Sequence, residues 1–469
     1  MRRSLLSLTA LAFALAGCDM APKYVRPEAA TPVQWPQGAA YAPAEAGQAG
    51  MPWRQLFTDP RLQTVIERAL ANNQDLRSTL ANVASARAQY HVERSYQLPT
   101  ITADADGSRT FGNSATQLNS KSYSADAGFS SFELDLFGRL KNQSREYLQS
   151  YLATDSGYRS ARLTLVANVA TAYVTLASDR DLLTLAEQTR DSSQRTLELT
   201  TTLFKSGLKS ASDVASAETS LQQAISDIAS QTTQVAQDRN ALELQVGGPV
   251  EDALLPASLA ELETKIGKVP AGLSSEALLR RPDVVQAEHT LEGTYASIGA
   301  ARAAFFPKIS LTSALGFTST ALGSLFSSDS FYKSVSGSGS MNLLGGTNKG
   351  NLEYAKAQRD AALASYQYTI QSAFKDVADA LARRGTIADQ RTAQERLVAA
   401  AQKSYNLAQD QYRAGTDTFL NALIAQRSLY TYQQTQISTI LADLSNRVTI
   451  YSAVGSDESL SKDDAPVKK

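Results

Sequence analysis

The chain has 469 residues with a formal charge of −1, two His, one Cys and two Trp. That balance advertises no nucleic-acid or polyanion partner. So few His and Cys leave little for a metal site or a nucleophile–base pair, and no GxGxxG, P-loop, HExxH or GxSxG pattern occurs, so no enzyme, metal or cofactor is expected.

Residues 1–17 open with Arg2 and Arg3, followed by the apolar run LLSLTALAFALAG, which ends at Cys18. The run is too short to span a bilayer and has the layout of a secretory signal. LAGC resembles the bacterial lipobox, which implies acylation of Cys18 with the several chains that stable anchoring requires. Asp19 follows directly, and in enteric-type sorting an Asp there resembles an inner-membrane retention signal. From Cys18 to residue 52 the chain carries Pro22, Pro27, Pro32, Pro36, Pro43 and Pro52, which predicts an extended tether without a core of its own. The tail 456–469 is polar and expected to fray. No stretch offers about 18 consecutive apolar residues, so any membrane crossing falls to strands.

The body of the chain is written twice. Residues 73–101 (NQDLRSTLANVASARAQYHVERSYQLPTI) and 281–309 (RPDVVQAEHTLEGTYASIGAARAAFFPKI) hold the same Asp-to-Pro spacing, Asp75 to Pro99 and Asp283 to Pro307. The offset of 208 persists in Gly207 and Gly415, Phe204 and Tyr412, Tyr158 and Tyr366, and Val246-Gly247 and Val454-Gly455. Matched punctuation over such a span predicts two repeats, 53–247 and 276–455, joined by 248–275. His91 and His289 fall in the matched Ala-rich helices without a second His or Cys nearby, so both are read as packed or surface residues.

Each repeat offers two candidate strands. In 100–111, Ile101, Ala103, Ala105, Gly107 and Phe111 alternate with Thr102, Asp104, Asp106, Ser108 and Thr110. In 122–129, Tyr123, Ala125, Ala127 and Phe129 oppose Ser124 and Asp126. In the second repeat Ile309, Leu311, Leu315 and Phe317 alternate with Ser310, Thr312, Gly316 and Thr318. Phe331, Val335, Met341 and Leu343 alternate with Ser334, Ser336, Ser338, Ser340 and Asn342. Period two with one apolar and one polar face is the strand signature, and about 10 residues suffice to cross an outer membrane when tilted. Asp104, Asp106, Asp126, Ser336 and Ser338 are the expected lumen-facing residues. Four strands cannot close a barrel, and open edges are forbidden at membrane depth, so several copies must share one; three give 12 strands.

The rest reads as unusually long helix. Between Arg139 and Phe204 there is no Pro and only Gly157; Lys349–Arg413 is as sparse. Some 65 residues at 1.5 Å each make a rod on the order of 100 Å. Val214, Leu221, Ile228, Val235 and Leu242 recur every seven residues, as do Leu423, Tyr430, Ile437, Leu444 and Tyr451, a coiled-coil seam. LFKSG and QYRAG place Gly207 and Gly415 where a left-handed residue stops a helix, and Ser210–Asp213 resembles a capping box for the return helix.

These residues resemble the outer membrane factors of the TolC superfamily, in the NodT-like lipoprotein branch that serves RND-type pumps. The markers are YVRP at 24–27, WRQLFTDPRL at 53–62, FELDLFGR at 132–139, RRPDVVQAE at 280–288 and IGAARAAFFPKISL at 298–311. The resemblance implies a mainly α fold with a small β part. It implies a homotrimer whose 12-stranded barrel, four strands per chain, continues into a helical barrel, with an equatorial region from 247–275 and the C-terminus. The implied function is the outer-membrane exit duct of a tripartite efflux pump, with a membrane-fusion adaptor, an RND-type pump and outer-membrane lipid as partners. It implies adaptor docking at the tips, at Phe204, Gly207, Leu208, Tyr412, Gly415 and Thr416; simple hairpin packing is the other reading of the flanking side chains, and the two roles are compatible. It also implies an iris past the second tip, where Ile424 stands in place of an expected Asp and Leu420 and Ile424 are the candidate constriction. A type I-like secretion duct and a structural coiled-coil lipoprotein of the periplasm are the alternative readings.

Overall fold

A computed structural model describes residues 19–28, 31, 32, 34–41, 51–111, 120–268, 275–455, 457 and 459–462. The signal segment and Cys18 lie outside the described residues, as do 42–50, 269–274 and most of the tail. The helices obey the repeat to the residue. α2 (Gln74–Ser95), α3 (Arg139–Lys205) and α4 (Ala211–Val246) recur 208 positions later as α5 (Pro282–Ala303), α6 (Thr347–Arg413) and α7 (Phe419–Val454). A shorter α1 (Pro60–Asn72) precedes them; Pro60 opens it, with the Asp59 carboxylate accepting from Arg61 N at 2.8 Å. Among the described residues no helix is long and apolar enough to cross a membrane.

The chain divides into two compact units. The first gathers the described N-terminal residues, Ala81–Asp155 and Gln286–Tyr368. It holds one antiparallel sheet in the order β1 (Thr102–Thr110), β2 (Ser120–Leu134), β3 (Lys308–Ser319), β4 (Phe331–Ser340). Among the described residues neither β1 nor β4 pairs a second strand along its outer edge. Two sequence expectations are corrected. β4 stops at Ser340, so Met341 and Leu343 lie beyond it. β2 runs on to Leu134, because a bulge repairs its alternation. Phe129 pairs with Ser313 but Phe132 with Leu311, three steps on one strand against two on the other. Ser131 takes the extra residue's conformation, φ 54, and its amide donates to Thr312 Oγ1 at 3.0 Å. The slip of one residue returns Phe132 to the face of Phe129 and sends Glu133 to the face of Ser310.

The second unit comprises the residues from 31 to Leu80, Ser156–Val285 and those from Thr369 onward. Its core packs Trp53, Leu56, Phe57, Leu62 and Ile66 against Val166, Val169 and Tyr173 of α3, Leu242 and Val246 of α4, and Leu444, Val448 and Tyr451 of α7. Leu255, Leu259, Leu262 and Ile266 from the inter-repeat segment close it, and each such side chain contributes about 1.5–3 kcal/mol by leaving water. The C-terminal end is tied in as well. Asp457 accepts from Trp53 N and from the Tyr451 hydroxyl, both at 2.8 Å. Beside this core Asp443 binds Arg391 and Arg447, each at 2.8 Å, and Arg391 reaches Glu263 at 2.7 Å. Burial alone would raise the Asp443 carboxyl, yet the two guanidiniums prevail and hold it below the usual carboxylate range.

Candidate functional site

The two hairpin turns lie in the second unit and are built alike at the backbone. In the first, Gly207 takes φ 74, its amide donates to Phe204 O at 2.9 Å, and Leu208 N donates to Leu203 O at 2.9 Å. In the second, Gly415 takes φ 74, with Gly415 N to Tyr412 O at 3.1 Å and Thr416 N to Gln411 O at 3.0 Å. This pair of bonds is the Schellman closure, which needs a left-handed residue and hence glycine. The return helices are capped differently. α4 has the full box: Ser210 Oγ accepts from Asp213 N at 3.2 Å, and Asp213 accepts from Ser210 N at 3.3 Å. At α7 the adjacent Asp417 replaces it, accepting from Thr418 N and Asn421 Nδ2, both at 2.7 Å.

Side chains break the symmetry further. Phe204 and Leu208 stand exposed at the first turn, and Thr416 is exposed at the second. Tyr412 is not. It is 1% exposed, packed with Phe419, Leu423, Ala422 and Ala217, its ring 5.2 Å from that of Phe419. Its hydroxyl donates to Thr200 Oγ1 at 3.3 Å, and the Lys209 ammonium sits 4.2 Å from its ring centroid. Tyr412 thus joins the two hairpins of its own chain. The sequence held a signal for this in Tyr405, seven residues earlier on α6, whose hydroxyl lies 3.1 Å from Ser192 Oγ on α3. The Thr200 and Lys209 partners carried no such signal.

Leu420 and Ile424 lie one turn apart on α7, 61% and 53% exposed, while Phe419 just before them and Ala422 and Leu423 between them are buried in the chain's own cluster. Neither belongs to that buried cluster. The exposed stripe runs on through Arg427, Thr431, Thr435 and Ser438. One turn deeper, Tyr430 donates to Asp227 of α4 at 3.0 Å; burial, and then the Asp227 charge, push its phenol up to about 12.

In the first unit the register gathers the five candidate lumen residues on one face. Asp104 stands opposite Asp126, Asp106 opposite Ser124, Thr312 opposite Ser336 and Ser310 opposite Ser338. Asp126 meets Gly316, which continues the row across β3. Two carboxylates directly opposite repel unless water screens them. The other face carries Tyr123, Phe129, Phe132, Leu311, Leu315 and Phe317, with Val335 74% exposed, and Arg109, Lys121 and Lys333 toward the hairpin ends of the strands. Among the described residues no group of His, Cys, Asp and Glu is arranged to hold a metal. His289 bonds Gln149 at 2.7 Å.

The profile of the family described as outer membrane efflux protein matches residues 65–248 and 273–456, two copies again 208 apart. The chain is 41% identical to the probable efflux pump outer membrane protein TtgC of Pseudomonas putida, over 97% of this chain and 96% of that one. It is 36% identical to the cation efflux system protein CusC of Escherichia coli, over 95% and 97% of the two chains. Crystal structures of CusC superpose with a TM-score of 0.85, covering 93% of this chain and all of that one, at 35% identity. The open state of the Neisseria gonorrhoeae MtrE outer membrane channel superposes with a TM-score of 0.84 at 35% identity, over 94% and 99%.

Proposed function

The chain belongs to the outer membrane efflux protein family, and on that premise we propose that it is the outer-membrane exit duct of a tripartite efflux pump. It passively conducts small drugs or toxic compounds from an adaptor–pump complex to the exterior. The observation that carries this reading is the four-stranded sheet with a polar face, a mainly apolar face and, among the described residues, two unpaired outer edges. In hydrocarbon every backbone N–H and C=O needs a partner, and one chain cannot supply them for β1 and β4. Three copies joined edge to edge, β4 of one against β1 of the next, give 12 strands, an apolar exterior and a lumen lined by Asp104, Asp106, Asp126, Ser336 and Ser338.

The helices of this duct reach into the periplasm, where the tips meet the helical hairpins of a membrane-fusion adaptor through Phe204, Leu208 and Thr416, shaped by Gly207 and Gly415. Beyond the tips Leu420 and Ile424 from three copies form an apolar constriction. It opens when α7 repacks, a switch between two packed states. Cys18 carries the acyl anchor. This reading assigns the chain transport and no enzymatic reaction; the solute is chosen by the pump. Imaging the purified protein in detergent or lipid discs tests the core of it. A long hollow cylinder of three subunits is expected. A monomer that stays soluble without detergent after removal of its lipid would overturn the reading.

A further inference from the structure

The residue that follows the acylation position is seated in the fold. The Asp19 carboxylate accepts from Asn142 Nδ2 at 2.9 Å, from Arg145 Nη1 at 3.1 Å and from Ala21 N at 3.1 Å, with Lys141 Nζ 3.9 Å away. Asn142 is fully buried, and its own Oδ1 accepts from Arg145 at 3.3 Å. The next residues are laid down with equal definition. Met20 O accepts from Arg302 at 3.3 Å. Ala21 lies so close to Gly299 that a Cβ there would come within 2.8 Å of Ala21 and 2.7 Å of Asn142 Nδ2. Tyr24 meets Tyr295 edge-on at 5.4 Å and donates to Glu288 at 3.1 Å, while Arg26 forks the same carboxylate at 2.7 and 2.6 Å. All of this lies within the first unit.

The seat is absent from the repeat that should duplicate it. The mates of Asn142 and Arg145, 208 positions on, are Gly350 and Glu353, and the mate of Gly299, 208 back, is His91. Glycine offers no donor side chain, glutamate reverses the charge, and histidine would fill the space Ala21 takes. The seat is therefore a departure from the repeat, at the place where residues 19–21 run.

We propose that Asn142, Arg145 and Lys141 form a built-in seat for the Asp19 carboxylate, so that folding of this unit withdraws the inner-membrane retention signal that Asp19 presents beside Cys18. The inference rests on the lipoprotein reading of LAGC. A retention signal at this position is an ionised carboxylate at the membrane surface, open to a cationic headgroup or receptor. Charge-assisted hydrogen bonds are short and directional, so a carboxylate already held by a guanidinium and an amide is not free to make the same bonds outside. Burial alone would raise the Asp19 carboxyl; the bonds from Asn142, Ala21 and Arg145 outweigh it and keep the group ionised and held. The unfolded chain thus leaves the carboxylate free and the folded chain engages it, which couples departure for the outer membrane to folding.

The test is fractionation of inner and outer membranes by density in an enteric host that reads Asp after the acylated Cys, with palmitate labelling alongside. The full chain is compared with Arg145→Glu, Asp19→Ser and the double variant. The parent is expected in the outer membrane. Arg145→Glu should raise the inner-membrane share several-fold, and adding Asp19→Ser should restore the parent distribution. Retention of the parent itself, or an Arg145→Glu variant that sorts like it, would overturn the proposal. So would a double variant that stays in the inner membrane, because the seat substitution would then act by misfolding. Absence of palmitate from the parent would sink the lipoprotein reading, and this inference with it; normal labelling with unmoved sorting would sink the inference alone.

Discussion

Phe204 and Tyr412 occupy the same position in the two repeats, yet Phe204 is 44% exposed and Tyr412 1%. One repeat presents its aromatic ring to the outside; the other spends it on fastening the hairpins together. Tyr412 bonds Thr200 of α3 across from α6 and packs on Phe419 of α7. Tyr412→Ala empties a site that cannot fully collapse and is expected to cost about 3–5 kcal/mol. Tyr412→Phe removes only the hydroxyl bond, about 1 kcal/mol. Thermal unfolding in detergent should rank them in that order, and a Tyr412→Ala protein as stable as the parent would refute the fastening role.

Leu208 and Phe204 invite the opposite result. Both are exposed, so Leu208→Glu with Phe204→Asp should leave stability within about 0.5 kcal/mol. Placing two carboxylates on an apolar docking surface should nonetheless abolish efflux in cells that supply the matching adaptor and pump. Accumulation of a fluorescent pump substrate reports it. Full efflux by the double variant, at normal outer-membrane levels, would remove the tips from the docking interface.

Ile424 carries a prediction of its own. Its side chain makes no part of the tip cluster, so Ile424→Gly changes the exposed stripe and spares the packing of Phe419 and Leu423. If three copies of it narrow the pore, single-channel conductance in planar bilayers should rise clearly. Conductance equal to the parent's would place Ile424 against a neighbouring helix instead.

Asp179 on α3 introduces a pH dependence. Burial first, and then the hydrogen bond and charge of Asp238 on α4, push its carboxyl up to about 7. Asp238 Oδ1 accepts from Gln234, while its Oδ2 is buried with no other donor against it among the described residues, so a proton on Asp179 is the one that can serve it. The unfolded carboxyl titrates near about 4, so the native chain holds the extra proton between that pH and about 7. The contribution to stability is therefore complete below the unfolded value and lost as pH rises through the folded one. Melting temperature should fall as pH rises from about 4 to about 7, and Asp179→Asn should flatten that slope. An unchanged slope would mean that the pair does not share a proton.

How legible was this molecule? The helix stops at Gly207 and Gly415 and the cap at Ser210 were readable, because they depend on a few adjacent residues and their backbone conformations. The polar strand face was readable for the same reason: alternation is local. The bulge was not. SS at 130–131 looks like a break in the pattern, and only pairing with Leu311 and Ser310 shows that Phe132 and Glu133 continue it on the correct faces. The burial of Tyr412 was not readable either: its position relative to the glycine matches that of Phe204, whereas burial depends on Ala217, Phe419 and Leu423 arriving from other helices.

The sequence by itself determined the doubled plan, the helix lengths, the left-handed stops and which strand face is polar. Each of these follows from periodicity or from conformations confined to a turn. Only the tertiary structure decided which of two matched side chains is buried, where the extra strand residue goes, and that Asp19 has a seat between Asn142 and Arg145. Such outcomes depend on residues more than a hundred positions away meeting at contact distance, and a local pattern carries no record of its distant partner.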